Sequence, residues 1–108
     1  MQYWFYLAWA ILLEVAGTTS MKLSKGFTNP VPSILLFVFY PASFVAFTFA
    51  LRRVDIGFGY AAWSGVGTAL IATIGILYFR EPATALKLVS IGFIIAGVFG
   101  LNLSGANH

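Results

Sequence analysis

Residues 31–51 read VPSILLFVFYPASFVAFTFAL, and the stretch contains no Asp, Glu, Lys or Arg. In an α-helix each residue rises about 1.5 Å, so a stretch of this length reaches about 30 Å, the thickness of a bilayer's hydrocarbon core. A long run of apolar side chains without a charge is typical of a transmembrane helix. We therefore predict that residues 31–51 cross a membrane.

Three similar stretches surround this one, at 3–21, 56–79 and 86–105. The whole chain is 60% hydrophobic and 8% charged, whereas a soluble domain carries roughly 25% charged residues. We predict an all-α membrane protein with four transmembrane helices in a single domain, residues 1–108. The first span is expected to stay in the mature protein, because Met1-Gln2 offers no basic region and the apolar run is too long for a signal peptide.

The connectors carry most of the charge. Their basic residues are Arg52 and Arg53 on one side of the membrane, and Lys22, Lys25, Arg80 and Lys87 on the other. Two against four is a weak bias under the positive-inside rule, so the sequence specifies the insertion orientation poorly. In the last connector, Pro82 after Glu81 favours the first turn of the fourth helix.

Four helices of this length enclose little interior volume, so a path for an organic solute favours a dimer. The last span offers small residues at spacings of four and seven, which let membrane helices approach closely. These small residues can equally pack against a helix of the same chain. The candidate dimer seam consists of Ser90, Gly92, Ala96, Gly97 and Gly100.

One carboxyl group lies deep in the first span. Glu14 is eleven residues beyond Tyr3, about 16 Å along a helix and so near the bilayer midplane. A charge there costs ~2.5 kcal/mol or more, which favours a group that holds a proton or exchanges it for a cation. The alternative is a structural Glu14 that is hydrogen-bonded to Thr18. Intramembrane acids are functional by default, and no basic residue lies at mid-span to neutralise this one.

The i, i+3, i+4, i+7 rule shows what shares a face with Glu14. The stripe consists of Leu7, Ala10, Glu14, Gly17, Thr18 and Met21. Ala10 and Gly17 are expected to leave space beside the carboxylate, and Thr18 can donate a hydrogen bond to it.

The third span places Tyr60, Trp63, Ser64 and Gly67 on one helical face. Aromatic rings beside a carboxylate favour an organic cation through cation–π attraction. Alternatively, such rings mark a membrane interface, although Trp63 lies deeper than an interfacial residue should. Gly65 and Gly67 suit a kink or a close helix contact.

In the second span, Tyr40 and Ser43 offer polar tips. Pro41 between them removes a backbone hydrogen bond, which allows either a hinge or a fixed bend.

The strings AILLEVAGTTSMKLSKGFT in the first span and GYAAWSGVG in the third resemble the small multidrug resistance family, over essentially the whole chain. Proteins of this family are proton-coupled exporters of cationic compounds that work as antiparallel dimers. The resemblance implies a multi-pass protein of the bacterial inner membrane that is not an enzyme. It further implies that Glu14 binds protons and substrate alternately.

The resemblance also assigns roles to other residues. Trp63 and Tyr60 would line the substrate site, with Tyr40, Ser43 and Thr18 as supporting contacts, and Gly65–Gly67 would be the flexing element. Gly17-Thr18-Thr19 resembles the branch that exports quaternary ammonium and lipophilic aromatic cations. FREP at 79–82 resembles the guanidinium-exporting branch more closely. The first motif is nearer the chemistry, so we favour the multidrug branch.

The partners expected are small organic cations, protons and membrane lipid, with no nucleic acid. A homodimer is favoured, and pairing with a paralogue is compatible with the sequence. No cofactor or metal is expected, since there is no Cys and the sole His is the terminal His108. Two rivals remain: an accessory subunit whose partner pairs with Glu14, and a small proton channel.

Overall fold

The computed structural model describes residues 2–106 and is helical through most of that range. The four predicted spans are confirmed as helices α1 (Gln2–Leu23), α2 (Pro30–Ala50), α3 (Ile56–Leu77) and α4 (Ala85–Leu101). A π-helical turn, Asn102–Ala106, extends α4. By length and composition, three of these are apolar enough to cross a membrane: α2, α3, and α4 with its extension to Ser104. The first helix has the length, but Glu14 and the polar run Thr18–Ser20 reduce its apolar character.

The turn between α1 and α2 is built from left-handed backbone. Lys25, Gly26 and Phe27 have φ angles of 49°, 70° and 69°, a region in which the helix cannot continue. Ser24 closes the end of α1 by donating from Oγ to the Met21 carbonyl at 2.7 Å. Pro30 then begins α2, where its missing N–H costs nothing. The chain therefore reverses direction over a few residues.

The two later helices begin at side-chain caps. Asp55 accepts a hydrogen bond from the Phe58 N–H at 3.4 Å at the start of α3, and Thr84 accepts one from the Lys87 N–H at 3.1 Å at the start of α4. The expectation that Pro82 lies in the first turn of the fourth helix is therefore wrong. The N-cap of α4 is Thr84, which accepts from one N-terminal N–H, and Pro82 lies before it in the connector.

The chain divides after Arg53 into two compact units. In the first unit, α1 and α2 form a closely packed antiparallel pair. The rings of Tyr6 and Phe49 lie 5.3 Å apart between centroids near one end of the pair. The buried apolar side chains of the unit are Leu7, Ala10, Ile11, Val15, Leu36, Phe47 and Ala50. That the whole chain acts as one domain stays a prediction.

In the second unit, α3 and α4 approach at Gly65. A Cβ at this position would lie 2.9 Å from the Val98 side chain and 3.1 Å from that of Ile94. The missing side chain therefore allows the two helices to pack closely. No side chain of α4 between Ala85 and Leu101 is buried, so this helix leaves most of its apolar surface uncovered by the described chain.

Candidate functional site

Glu14 lies near the middle of α1 and is partly buried. Its Oε2 accepts a hydrogen bond from the Thr18 hydroxyl, with 2.7 Å between the oxygens. The Tyr40 hydroxyl on α2 lies 2.5 Å from the same Thr18 oxygen. Thr18 has one hydroxyl proton and donates it to Glu14, so Tyr40 donates to Thr18. The result is a hydrogen-bond chain from Tyr40 through Thr18 to the carboxylate of Glu14.

Gly17 is the point at which the Tyr40 ring meets α1. A Cβ at residue 17 would lie 3.0–3.3 Å from three carbons of that ring. The space expected beside the carboxylate at Gly17 is therefore filled by an aromatic ring from α2. Sequence periodicity identified Gly17 as part of the stripe but gave no sign of what occupies it.

Ser43 and Ala10 also join α1 to α2. The Ser43 hydroxyl donates to the Ala10 carbonyl at 2.6 Å, and Ser43 is fully buried. Ala10 is one turn before Glu14, so this bond fixes the backbone next to the carboxylate. Both residues were expected as substrate contacts, and here they contact each other. Their part in substrate binding stays a prediction.

Two further residues of α1 differ from what the sequence pattern predicts. Thr19 has a buried hydroxyl oxygen with no hydrogen-bond partner within the part of the chain that the structure describes. No periodicity argument indicated this residue. Met21, which shares the predicted stripe, is 45% exposed.

In the second unit, Tyr60 and Trp63 form an aromatic pair on α3. Their ring centroids are 5.6 Å apart with the planes at 82°, an edge-to-face arrangement. Tyr60 is 57% exposed. Ser64 donates from its hydroxyl to the Tyr60 carbonyl at 2.7 Å, within the same helix. That these rings and Glu14 form one site stays a prediction.

The predicted hinge and seam lie on α3 and α4. The helix α3 runs unbroken from Ile56 to Leu77 through Gly65 and Gly67, and a flexing role for these glycines stays a prediction. The five seam residues are all exposed. A Cβ at Gly92, Gly97 or Gly100 would have no atom of the described chain within 4 Å. A dimer through this face is likewise a prediction.

These features define a class: a small all-helical membrane protein with a hydrogen-bonded acid inside one helix. Comparison with known proteins identifies the family within this class. The family model "Small Multidrug Resistance protein" matches residues 2–94, and the chain belongs to that family.

Relatives match over nearly the full chain. An uncharacterized membrane protein of Bacillus subtilis, YvaE, is 52% identical over 100 residues, which are 93% of this chain and 84% of the relative. The multidrug resistance protein EbrB of Bacillus subtilis is 43% identical, over 94% of this chain and 87% of its own. A guanidinium exporter of Salmonella typhimurium is 39% identical, over 94% of this chain and 96% of the exporter.

Proposed function

We propose that this protein is a proton-coupled antiporter that exports small organic cations across the bacterial inner membrane. The observation that carries the proposal is the Tyr40–Thr18–Glu14 hydrogen-bond chain within the α1–α2 pair. A partly buried carboxylate that accepts a hydrogen bond from Thr18, which is itself bonded to Tyr40, can be neutralised either by a proton or by a cation. Proton and cargo then compete for one group, and this competition couples their movements in opposite directions.

Alternating occupancy explains transport without covalent chemistry. Glu14 loses its proton on the side where protons are scarce, and an organic cation replaces it. After the site opens to the other side, protons displace the cargo. In the proposed dimer two Glu14 carboxylates share one chamber, so protons and cargo compete for one pair of carboxylates.

The cargo we favour is a quaternary ammonium or lipophilic aromatic cation. Tyr60 and Trp63 present an edge-to-face pair whose π faces attract organic cations, by ~0.5–2 kcal/mol each. Rings accept many shapes, which suits a loose specificity. The relatives named multidrug resistance proteins support this assignment.

Guanidinium export is the second candidate. Relatives named guanidinium exporters are 39% identical over 94% of this chain, and the FREP string at 79–82 favours the same cargo. Guanidinium is small and planar, and one carboxylate can bind it through paired N–H donors. A direct comparison of the two cargoes decides between the candidates.

The test measures uptake into proteoliposomes that have an acidic interior. The purified protein should accumulate a labelled cation as long as the proton gradient lasts, and Glu14→Gln should abolish accumulation. Glu81→Gln is the matched control, since it removes the same charge from a connector outside the helices. Running tetraphenylphosphonium and guanidinium in parallel shows which cargo the protein prefers. Accumulation by Glu14→Gln equal to that of the unaltered protein would refute the proposal.

A further inference from the structure

The Tyr40 ring lies against bare backbone at Gly17. A Cβ there would be 3.0 Å from ring carbon Cδ1, 3.1 Å from Cε1 and 3.3 Å from Cγ. The residue is in the middle of α1 with ordinary helical backbone, so its conformation does not require glycine. The position of the Tyr40 ring requires glycine at residue 17. Any side chain at residue 17 would push the ring away from α1.

The other end of the same ring carries the hydroxyl that reaches Thr18 at 2.5 Å. Gly17 and Thr18 are neighbours, so the position of the ring on residue 17 sets the position of the hydroxyl at residue 18. Thr18 in turn donates to Glu14 Oε2 at 2.7 Å. A shift of the ring by a few tenths of an ångström at Gly17 would therefore lengthen the Tyr40–Thr18 hydrogen bond. That bond is the first in the chain that ends on the Glu14 carboxylate.

We propose that Gly17 is a positioning residue for Glu14: it seats the Tyr40 ring, and through Thr18 that seat sets how strongly a proton competes with a cation. The proposal rests on the proposed function and deepens it. A hydroxyl that itself accepts a hydrogen bond is a better donor, because hydrogen bonds in a chain polarise one another. With Tyr40 seated, Thr18 is a stronger donor to the ionised carboxylate. Displacement of Tyr40 weakens that support, so the proton competes better and the cation less well.

Within the first unit, few other ionisable groups near Glu14 could produce such a change. Within the first unit, α2 is the helix packed against α1; it carries no charged side chain, and Tyr40 is its one ionisable residue. On α1 itself the others are Tyr3, Tyr6 and Lys22, each two turns or more away from Glu14. A pH response that depends on residue 17 therefore points to the Tyr40 chain.

The test is a double-mutant cycle on the full chain in lipid nanodiscs, with tetraphenylphosphonium binding measured across a pH series. Gly17→Ala should weaken binding about threefold to tenfold near neutral pH, the size expected for one impaired hydrogen bond. The loss should shrink as the pH rises, so the binding profile moves to higher pH. Tyr40→Phe, which keeps the ring and removes the hydroxyl, should move the profile in the same direction.

The decisive arm combines Gly17→Ala with Tyr40→Ala. Tyr40→Ala removes the three atoms nearest to a methyl group at residue 17, so the double variant should bind as Tyr40→Ala does. Gly57→Ala is the matched control, because its Cβ would be 3.5 Å from Asp55, an ordinary contact, and its profile should not move. If Gly17→Ala alone does not fold, recovery of folded protein in the double variant supports the contact between the Tyr40 ring and Gly17. In that case Tyr40→Phe alone supplies the pH profile of binding.

Equal losses from Gly17→Ala in the presence and absence of the Tyr40 ring would overturn the inference. So would a Tyr40→Phe profile identical to that of the unaltered protein. These failures are separate from failure of the proposed function, which is tested by Glu14→Gln. If that variant abolishes uptake while the cycle shows no coupling, Glu14 carries the exchange and Gly17 has no part in it.

Discussion

At the scale of single residues, the chemistry depends on what surrounds one carboxyl group. The chain has three acids; Asp55 caps α3, Glu81 lies in a connector, and Glu14 lies within a helix. The Glu81 side chain is 46% exposed, and its Oε1 lies 3.9 Å from the Lys87 amine, so water and a cation both stabilise it. Glu14 instead depends on hydroxyl groups. The role of Glu14 can therefore be tested through its neighbouring side chains.

The Thr18 hydroxyl is the direct support of Glu14, and Thr18→Val removes it while keeping the side chain's shape. A hydrogen bond to a charged group contributes ~1.5–3 kcal/mol, so cation affinity should fall about tenfold or more. Thr18→Ser should retain most of the affinity. Equilibrium binding of tetraphenylphosphonium measures the change. Thr73→Val is the control, since that hydroxyl is exposed and donates only to the Ala69 carbonyl of its own helix; equal losses in both variants would contradict the prediction.

Trp63 is the residue that tests the aromatic part of the site. Trp63→Ala should weaken binding of an aromatic cation by more than about tenfold, since it removes a cation–π partner and an apolar face. Trp63→Phe should restore part of that affinity. The matched control is Trp9→Ala, a 47% exposed tryptophan of α1 outside the predicted stripe. Unchanged affinity of Trp63→Ala in a titration would remove this ring from the site.

At the scale of elements, the α1–α2 pair is held by a side chain that bonds to backbone. Ser43 donates to the Ala10 carbonyl at 2.6 Å with both residues buried. Ser43→Ala should lower the free energy of unfolding by about 1 kcal/mol, the typical net contribution of such a bond. Unfolding in detergent followed by helical circular dichroism measures it. Thr48→Ala is the control, because that hydroxyl is exposed and bonds only within α2; a Ser43→Ala protein as stable as this control would contradict the prediction.

The same pair of helices shows what the sequence could predict and what it could not. Length and charge placement predicted the helices: residues 31–51 were expected where α2 spans Pro30–Ala50, and residues 56–79 where α3 spans Ile56–Leu77. Periodicity placed Glu14 and Thr18 on one face, and they are hydrogen-bonded. It could not show that the Tyr40 ring fills the space at Gly17. That contact depends on the register between two helices, which a one-helix pattern does not specify.

At the scale of the whole molecule, the distribution of buried side chains is uneven. The α1–α2 pair buries apolar side chains from both helices, whereas α4 buries none between Ala85 and Leu101. In lipid an exposed apolar face costs little, so hydrophobicity alone does not require a partner for α4. Small residues on that face do favour one, because they let a second helix approach closely enough for van der Waals contact and interhelical hydrogen bonds.

Gly97 tests whether α4 forms the predicted dimer. A Cβ at this position meets no atom of the described chain within 4 Å, so Gly97→Leu should leave the fold of one chain intact. A bulky side chain at a close helix contact should instead separate two copies. We expect single-molecule photobleaching in nanodiscs to shift from two steps to one, together with loss of cation uptake. Ala8→Leu, which places the same side chain at an exposed position on α1, should leave both unchanged. A Gly97→Leu protein that still bleaches in two steps and still transports would show that the partner helix lies elsewhere.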